Sequence, residues 1–212
     1  IANDVTSKFT ERESSYGPIR DHIRSVIENT EGNVAVFATS YSMLERIHND
    51  VLDMKFRKKF EKEEERMSKS SVERTISKLY EKRMGGVALF GVLSGKFSEG
   101  VDYSENVLNA VVCVGLPLPP PSARQDALLD YYTKKFDRNR AWKYASLQPA
   151  VNSILQAMGR PIRKKEDRAI VILLERRLLE RRFGDCMPKM QKMQTSKPST
   201  TAERVKSFFE MS

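Results

Sequence analysis

VALFGVLSGKFSEGVD, residues 87–102, joins an unbroken apolar run to a glycine-rich polar turn. An apolar run of strand length without alternation reads as a strand covered on both faces, the pattern of a parallel sheet. The glycines and lysine that follow suggest a phosphate loop at a glance, but the spacing fails. Such a loop needs four residues between its glycines and a Ser or Thr after the lysine, whose hydroxyl ligates Mg²⁺. Here three residues separate Gly91 from Gly95, and Phe97 follows Lys96. The turn therefore either punctuates a strand or serves a ligand in another way.

Further continuous apolar runs lie at 34–38, 110–115 and 169–174, with helical patterns between them. Tyr16, Ile19, Ile23, Val26 and Ile27 mark the face of a first helix. Met43, Leu44, Ile47 and Val51 mark a second, with Ser42 and Glu45 spaced as a capping box. Val72, Ile76 and Leu79 mark a third, opened by Ser70 and Glu73 and closed by Gly85 and Gly86. Leu128, Leu129, Tyr132 and Phe136 give a fourth after Ser122; Val151, Ile154, Leu155 and Met158 give a fifth after Pro149. Strands alternating with helices predict a three-layer α/β/α sandwich on a mostly parallel sheet.

Between these elements, RKKFEKEEER (57–66) reads as a solvated helix face or an edge strand, with little expectation of function. PLPPP (117–121) lacks most backbone donors and predicts a stiff extended connector. From residue 184 to 201 the composition is that of a flexible linker, and Val205, Phe208 and Phe209 then give an amphipathic segment able to dock on the body. The expected division is a main domain at 1–183 and a linker with a short helix at 184–212.

The formal charge of +9, from 37 Lys and Arg against 28 Asp and Glu, points to a polyanionic partner, either nucleic acid or an acidic protein. No apolar run approaches the roughly 18 residues of a membrane span, so no membrane partner is expected. The opening residues do not read as a signal peptide. Two cysteines, Cys113 and Cys186, form no Cys-x-x-Cys pair and suggest a reducing compartment. No metal-ligand set is evident.

The chemistry concentrates in QAMGRPIR, residues 156–163. Arg160 and Arg163 can place two guanidinium forks beside a turn, suited to the charge that develops on a γ-phosphate. Alternatively they complement their own helix end. Upstream, Asp102 either accepts a hydrogen bond from a ribose hydroxyl or forms a turn, while Ser98 and the amides near Gly95 suit a nucleic-acid phosphate. Trp142, in RNRAWKY (138–144), is either a stacking platform for bases or a partly buried core residue. Arg176, Arg177, Arg181 and Arg182 either line the same track or solubilise a helix. His22 and His48 fall in ordinary helix patterns and carry no expected catalytic role.

VAVFATSYSML, GKFSEGVD, VVCVGLPLPPPS and QAMGRPIR, in this order, resemble motifs IV, V, Va and VI of superfamily 2 helicases of the XPD type, which include bacterial DinG relatives. The resemblance covers about Val5 to Leu178, and the Lys- and Glu-rich composition looks archaeal. It implies the second RecA-like motor domain of an ATP-dependent 5′ to 3′ DNA helicase of nucleotide excision repair, an intracellular protein of the cytoplasm, nucleoid or nucleus. The alternative is a non-catalytic nucleic-acid-binding or regulatory module. Gln156, Arg160 and Arg163 would then be catalytic and nucleotide-facing, the arginines as fingers, with Gly100 and Asp102 also near the nucleotide. Ser40, Tyr41, Ser98, Trp142, Arg176 and Arg177 would face single-stranded DNA. Pro161 stands where many relatives have a small residue and fixes the turn. ATP and Mg²⁺ would be shared with a first motor domain, which in the family carries the phosphate loop, the acidic box, a 4Fe–4S domain and an arch. Their motifs do not occur in these residues, so the chain is expected to be one domain of a longer protein that also meets repair proteins.

Overall fold

A computed structural model describes residues 1–81 and 85–211. Its strands are β1 (Asn33–Ala38), β2 (Lys59–Lys62), β3 (Val87–Val92), β4 (Leu108–Val114) and β5 (Ile170–Leu174). They form one sheet in the order β2-β3-β1-β4-β5, with every pairing parallel. β1 and β3 are buried along their whole length, as their uninterrupted apolar sequences require.

Alternate side chains of the central strands enter two separate cores. Val34, Val36 and Ala38 face one side, under α1 (Arg12–Asn29) and α2 (Tyr41–Leu52). Ala35 and Phe37 face the other, under α3 (Lys69–Tyr80) and α6 (Gln148–Met158). The result is the expected three-layer sandwich. Because the strands are parallel, their carboxyl ends share one edge, where Thr39, Glu63, Leu93, Gly115 and Glu175 leave the sheet.

The helix starts differ from the sequence reading. Ser40, rather than Ser42, caps α2 by accepting from Met43 N; Ser68, rather than Ser70, caps α3 by accepting from Ser71 N. In each case an earlier hydroxyl sits at the last extended residue, the backbone position a cap needs. The 57–66 stretch resolves as an edge strand, β2, paired along β3.

A second difference concerns α4 (Ala123–Thr133), which buries none of its residues. The PLPPP connector carries it away from the sheet, and it packs on α5 (Arg138–Trp142) and a π-helical turn, Lys143–Leu147, that runs into α6. Leu128, Tyr131, Phe136 and Tyr144 consequently remain exposed.

Beyond β5, a 3₁₀ turn (Arg176–Leu179) and α7 (Arg181–Gly184) lead to the C-terminal segment. Its linker-like composition is deceptive, because Cys186 and Met187 are buried in the second core and Asn3 N donates to Thr195 O at 2.9 Å. α8 (Pro198–Glu210) lies on α1 and buries Thr201 and Val205. Fully buried His22 joins the two helices, with Nδ1 2.8 Å from Thr201 Oγ1 and Nε2 3.0 Å from Asp4 Oδ1. No described helix is long and apolar enough to cross a membrane.

Candidate functional site

β3 and β4 are parallel and separated by β1, so the chain between them must travel the length of the sheet. A loop, residues 93–107, makes this journey instead of a helix. Leu93, Phe97, Tyr103 and Val107 anchor it in the second core, and Tyr103 donates to Phe97 O at 2.8 Å. Burial drives the Tyr103 phenol far above its usual pKa, so this hydroxyl acts as a permanent donor.

Arg160 pins the middle of the loop. Its Nε donates to Ser98 O, and its Nη1 donates to Val101 O at 2.9 Å. Arg163 reaches the same stretch through Asp102, with Nε 3.0 Å from Oδ1. The turn bearing Arg163 is set by Asp167, which accepts from Arg163 N at 2.7 Å and Lys164 N at 2.8 Å; these bonds lower its carboxyl pKa. Between the two contacts, Gly100 holds a left-handed φ of 78° with nothing within 4 Å of a Cβ placed there. Gly100, Asp102, Arg160 and Arg163 are thus brought together around an open turn. Gln156 is exposed on the last turn of α6, one helical turn before Arg160. Two of the five guanidinium N–H groups of Arg160 are spent on the loop, leaving the rest for an outside acceptor.

A second polar surface lies at the start of α2. Ser7, Arg12, Thr39, Ser40, Ser42 and Arg46 line a cleft of about 220 Å³ beside the helix N-terminus. Glu13 lines it too, paired with Arg12, and Arg46 is paired with Asp50; an anion here would be met by the hydroxyls and the positive helix end and would compete with those carboxylates for the two guanidiniums. Its floor is braced by Glu175, which is wholly buried. The Glu175 carboxylate accepts from Thr6 Oγ1 at 2.8 Å, Ser7 N at 2.9 Å, Ser7 Oγ at 2.7 Å and Arg177 Nη2 at 2.7 Å. Burial alone would raise its pKa, but the Arg177 and Ser7 bonds outweigh that and hold it below the usual value.

These contacts, and others nearby, show where the structure places the remaining residues singled out in the sequence. Ser98 is buried, and its hydroxyl donates to Val92 O at 2.9 Å, so it is spent inside the loop and unavailable to a phosphate. Arg177 is committed to Glu175 and Ser7, with its side chain 13% exposed. Arg176 pairs with Glu11. Trp142 is half-buried, its ring edge-on to Phe183 at 6.1 Å with Arg182 over it at 5.7 Å, which is the core alternative. Among the aromatics that do face solvent, Tyr131, Phe136 and Tyr144 are grouped through Tyr132, and Phe9 stands apart beneath Arg12. Ser40 is exposed in the cleft, while the Tyr41 hydroxyl turns inward to Glu63 at 2.9 Å. Burial and that carboxylate push the Tyr41 pKa up to about 12.

A parallel three-layer sandwich, with a glycine loop gripped by paired arginines and a polar cleft at its strand ends, is the architecture of a RecA-like domain. The helicase C-terminal domain family matches residues 23–194, and the chain belongs to that family, as a member of the XPD type. It is 30% identical over 181 residues to the ATP-dependent DNA helicase XPD of Sulfolobus acidocaldarius, covering 84% of this chain and 31% of the relative. The helicase chl-1 of Caenorhabditis elegans is 27% identical over 161 residues, covering 73% of this chain and 19% of its own. A solved apo XPD structure superposes with a TM-score of 0.74 at 26% identity, covering 92% of this chain and 39% of that one. The chain therefore spans about a fifth to a third of the curated relatives it matches.

Proposed function

We propose that the chain is the second motor domain of an ATP-dependent DNA helicase. Arg160 and Arg163 face a nucleotide carried by the first motor domain, and the cleft at Ser40 faces the backbone of single-stranded DNA. The observation that carries this reading is the convergence of Gly100, Asp102, Arg160 and Arg163 around one open turn. The relatives' names, ATP-dependent DNA helicases, support the activity of the whole protein.

The residues present suit such a nucleotide. The Arg163 side chain is 41% exposed and Asp102 78%, so both can exchange their mutual ion pair for an incoming ligand. Bound ATP supplies the γ-phosphate whose charge rigid guanidiniums offset. Asp102 suits a ribose hydroxyl, and Gln156 extends the same face. Mg²⁺ and a 4Fe–4S cluster belong, in this reading, to the first motor domain and its insertions. Residues 1–183 form the motor unit, and 184–212 buttress it through α8. Movement is 5′ to 3′ and serves DNA repair, as the XPD likeness implies.

On the DNA side the structure shifts the emphasis. Ser40, with Arg12 and Arg46, suits phosphate, and Tyr131, Phe136 and Tyr144 replace Trp142 as stacking surfaces. Ser98 and Arg177 act as internal struts, while Arg176 forms an exposed ion pair with Glu11 that an incoming phosphate could replace. In the full-length protein, Arg163→Ala should lower ATP hydrolysis roughly a thousandfold, the scale of a lost arginine finger, with single-strand affinity kept. Hydrolysis within tenfold of wild type would overturn the assignment.

A further inference from the structure

Glu63, which follows β2, is 1% exposed although it lies in the most highly charged stretch of the chain. A buried carboxylate costs several kcal/mol unless its oxygens are satisfied. Here Oε1 accepts from Lys96 N at 2.7 Å and Tyr41 Oη at 2.9 Å, while Oε2 accepts from Val92 N at 3.1 Å. The glycines of GVLSGK make room for it. A Cβ at Gly91 would stand 2.8 Å from Oε2, and one at Gly95 would stand 2.6 Å from Oε1. The segment that fails as a phosphate loop does wrap an anion, and the anion is the chain's own.

From Glu63 the bonds run in two directions. One limb goes through Tyr41 to the start of α2, next to Ser40 and the polar cleft. The other enters the 93–107 loop, where Ser98 Oγ donates to Val92 O and Gly95 O, and Arg160 holds Ser98 O and Val101 O. Lys96 Nζ adds a strap to Glu65 O at 2.9 Å.

We propose that Glu63 is a positioning residue that ties the α2 end of the DNA cleft to the loop gripped by Arg160, so that an anion at one is felt at the other. This rests on the motor-domain reading above. A contiguous route is a physical means of coupling only where both ends bias it, so the measurement must read the coupling itself.

The test uses the full-length protein and compares ATP hydrolysis with and without a single-stranded oligonucleotide. Glu63→Gln weakens the cradle, and Tyr41→Phe removes one limb by deleting a single hydroxyl, so the fold survives in at least the second variant. Both should cut the ratio of stimulated to basal rate by about fivefold or more, the lower range of measured couplings. The double variant should be no worse than the more affected single. A ratio within twofold of wild type in both variants overturns the proposal, as does an equal fall in basal and stimulated rates, the mark of a purely structural role. A wild-type protein that hydrolyses ATP without stimulation by the oligonucleotide overturns the motor reading itself, and the proposal with it.

Discussion

Glu175→Ala should destabilise the chain more than any surface substitution, and its size follows from what it leaves behind. The carboxylate is the shared acceptor for Thr6, Ser7 and Arg177, and the Arg177 side chain is only 13% exposed. Removing one partner of a buried pair costs about 3–5 kcal/mol, because the remaining charge is stranded. For a domain of this size each kcal/mol lowers the melting temperature by about 2–4 °C. A loss of roughly 6–20 °C is therefore expected in a thermal melt. Glu175→Ala with Arg177→Ala should recover part of it, since no buried charge is then left alone. High salt should change the difference little, because the pair is shielded from screening ions.

The same residue gives a pH signature. Its folded pKa lies below the ordinary 4.5, so the stabilisation from its ionised form is complete above pH 4.5. It then fades as pH falls through the lower folded value. The melting difference between wild type and Glu175→Gln should shrink on acidification through that window and be flat above it. A loss under about 3 °C for Glu175→Ala, well below the range worked above, would refute the reasoning. So would a double variant as unstable as the single.

Tyr103→Phe leaves Phe97 O without its buried donor and should cost about 1–3 kcal/mol, read as a lower denaturant midpoint at unchanged slope. Trp142→Ala should cost about 2–4 kcal/mol by opening the second core beside Phe183, whereas exposed Tyr144→Ala should change stability by under about 1 kcal/mol. The reverse should hold for single-strand affinity, where losing a stacking face at Tyr144 costs about 1–3 kcal/mol. A stable Trp142→Ala protein that binds DNA weakly would return that residue to the stacking role.

The sheet was legible because burial on both faces leaves a one-dimensional trace: 34–38 and 87–92 contain no charged residue, and both became central strands. β2 was ambiguous because an edge strand keeps one side in water and so tolerates Lys59, Glu61 and Lys62. The same tolerance hid Glu63. Nothing in FEKEEER distinguishes the one glutamate that turns inward from its solvated neighbours; only the Gly91 and Gly95 spacing, lying 28 or more residues away, carries the matching signal. Glu175 was hidden likewise, as a lone acid ending an apolar strand.

The arginines were legible as a motif, but their partners were not. Arg160 and Arg177 are similar cations in sequence, yet one grips backbone carbonyls and the other a buried carboxylate. α4 was legible as a helix after Ser122, but its packing was not. Its apolar residues have helical spacing, but the proline connector before it decides which surface it meets, and that surface is water and α5 rather than the sheet.

The central claim is that these residues form half of a nucleotide site whose other half lies on another domain. ATP hydrolysis by this chain alone, and again after the first motor domain of the same protein is added with single-stranded DNA, measures that most directly. The account predicts no turnover by the chain alone and turnover on mixing that disappears with Arg163→Ala. Hydrolysis by the isolated chain, or full activity of the mixture carrying Arg163→Ala, would contradict it.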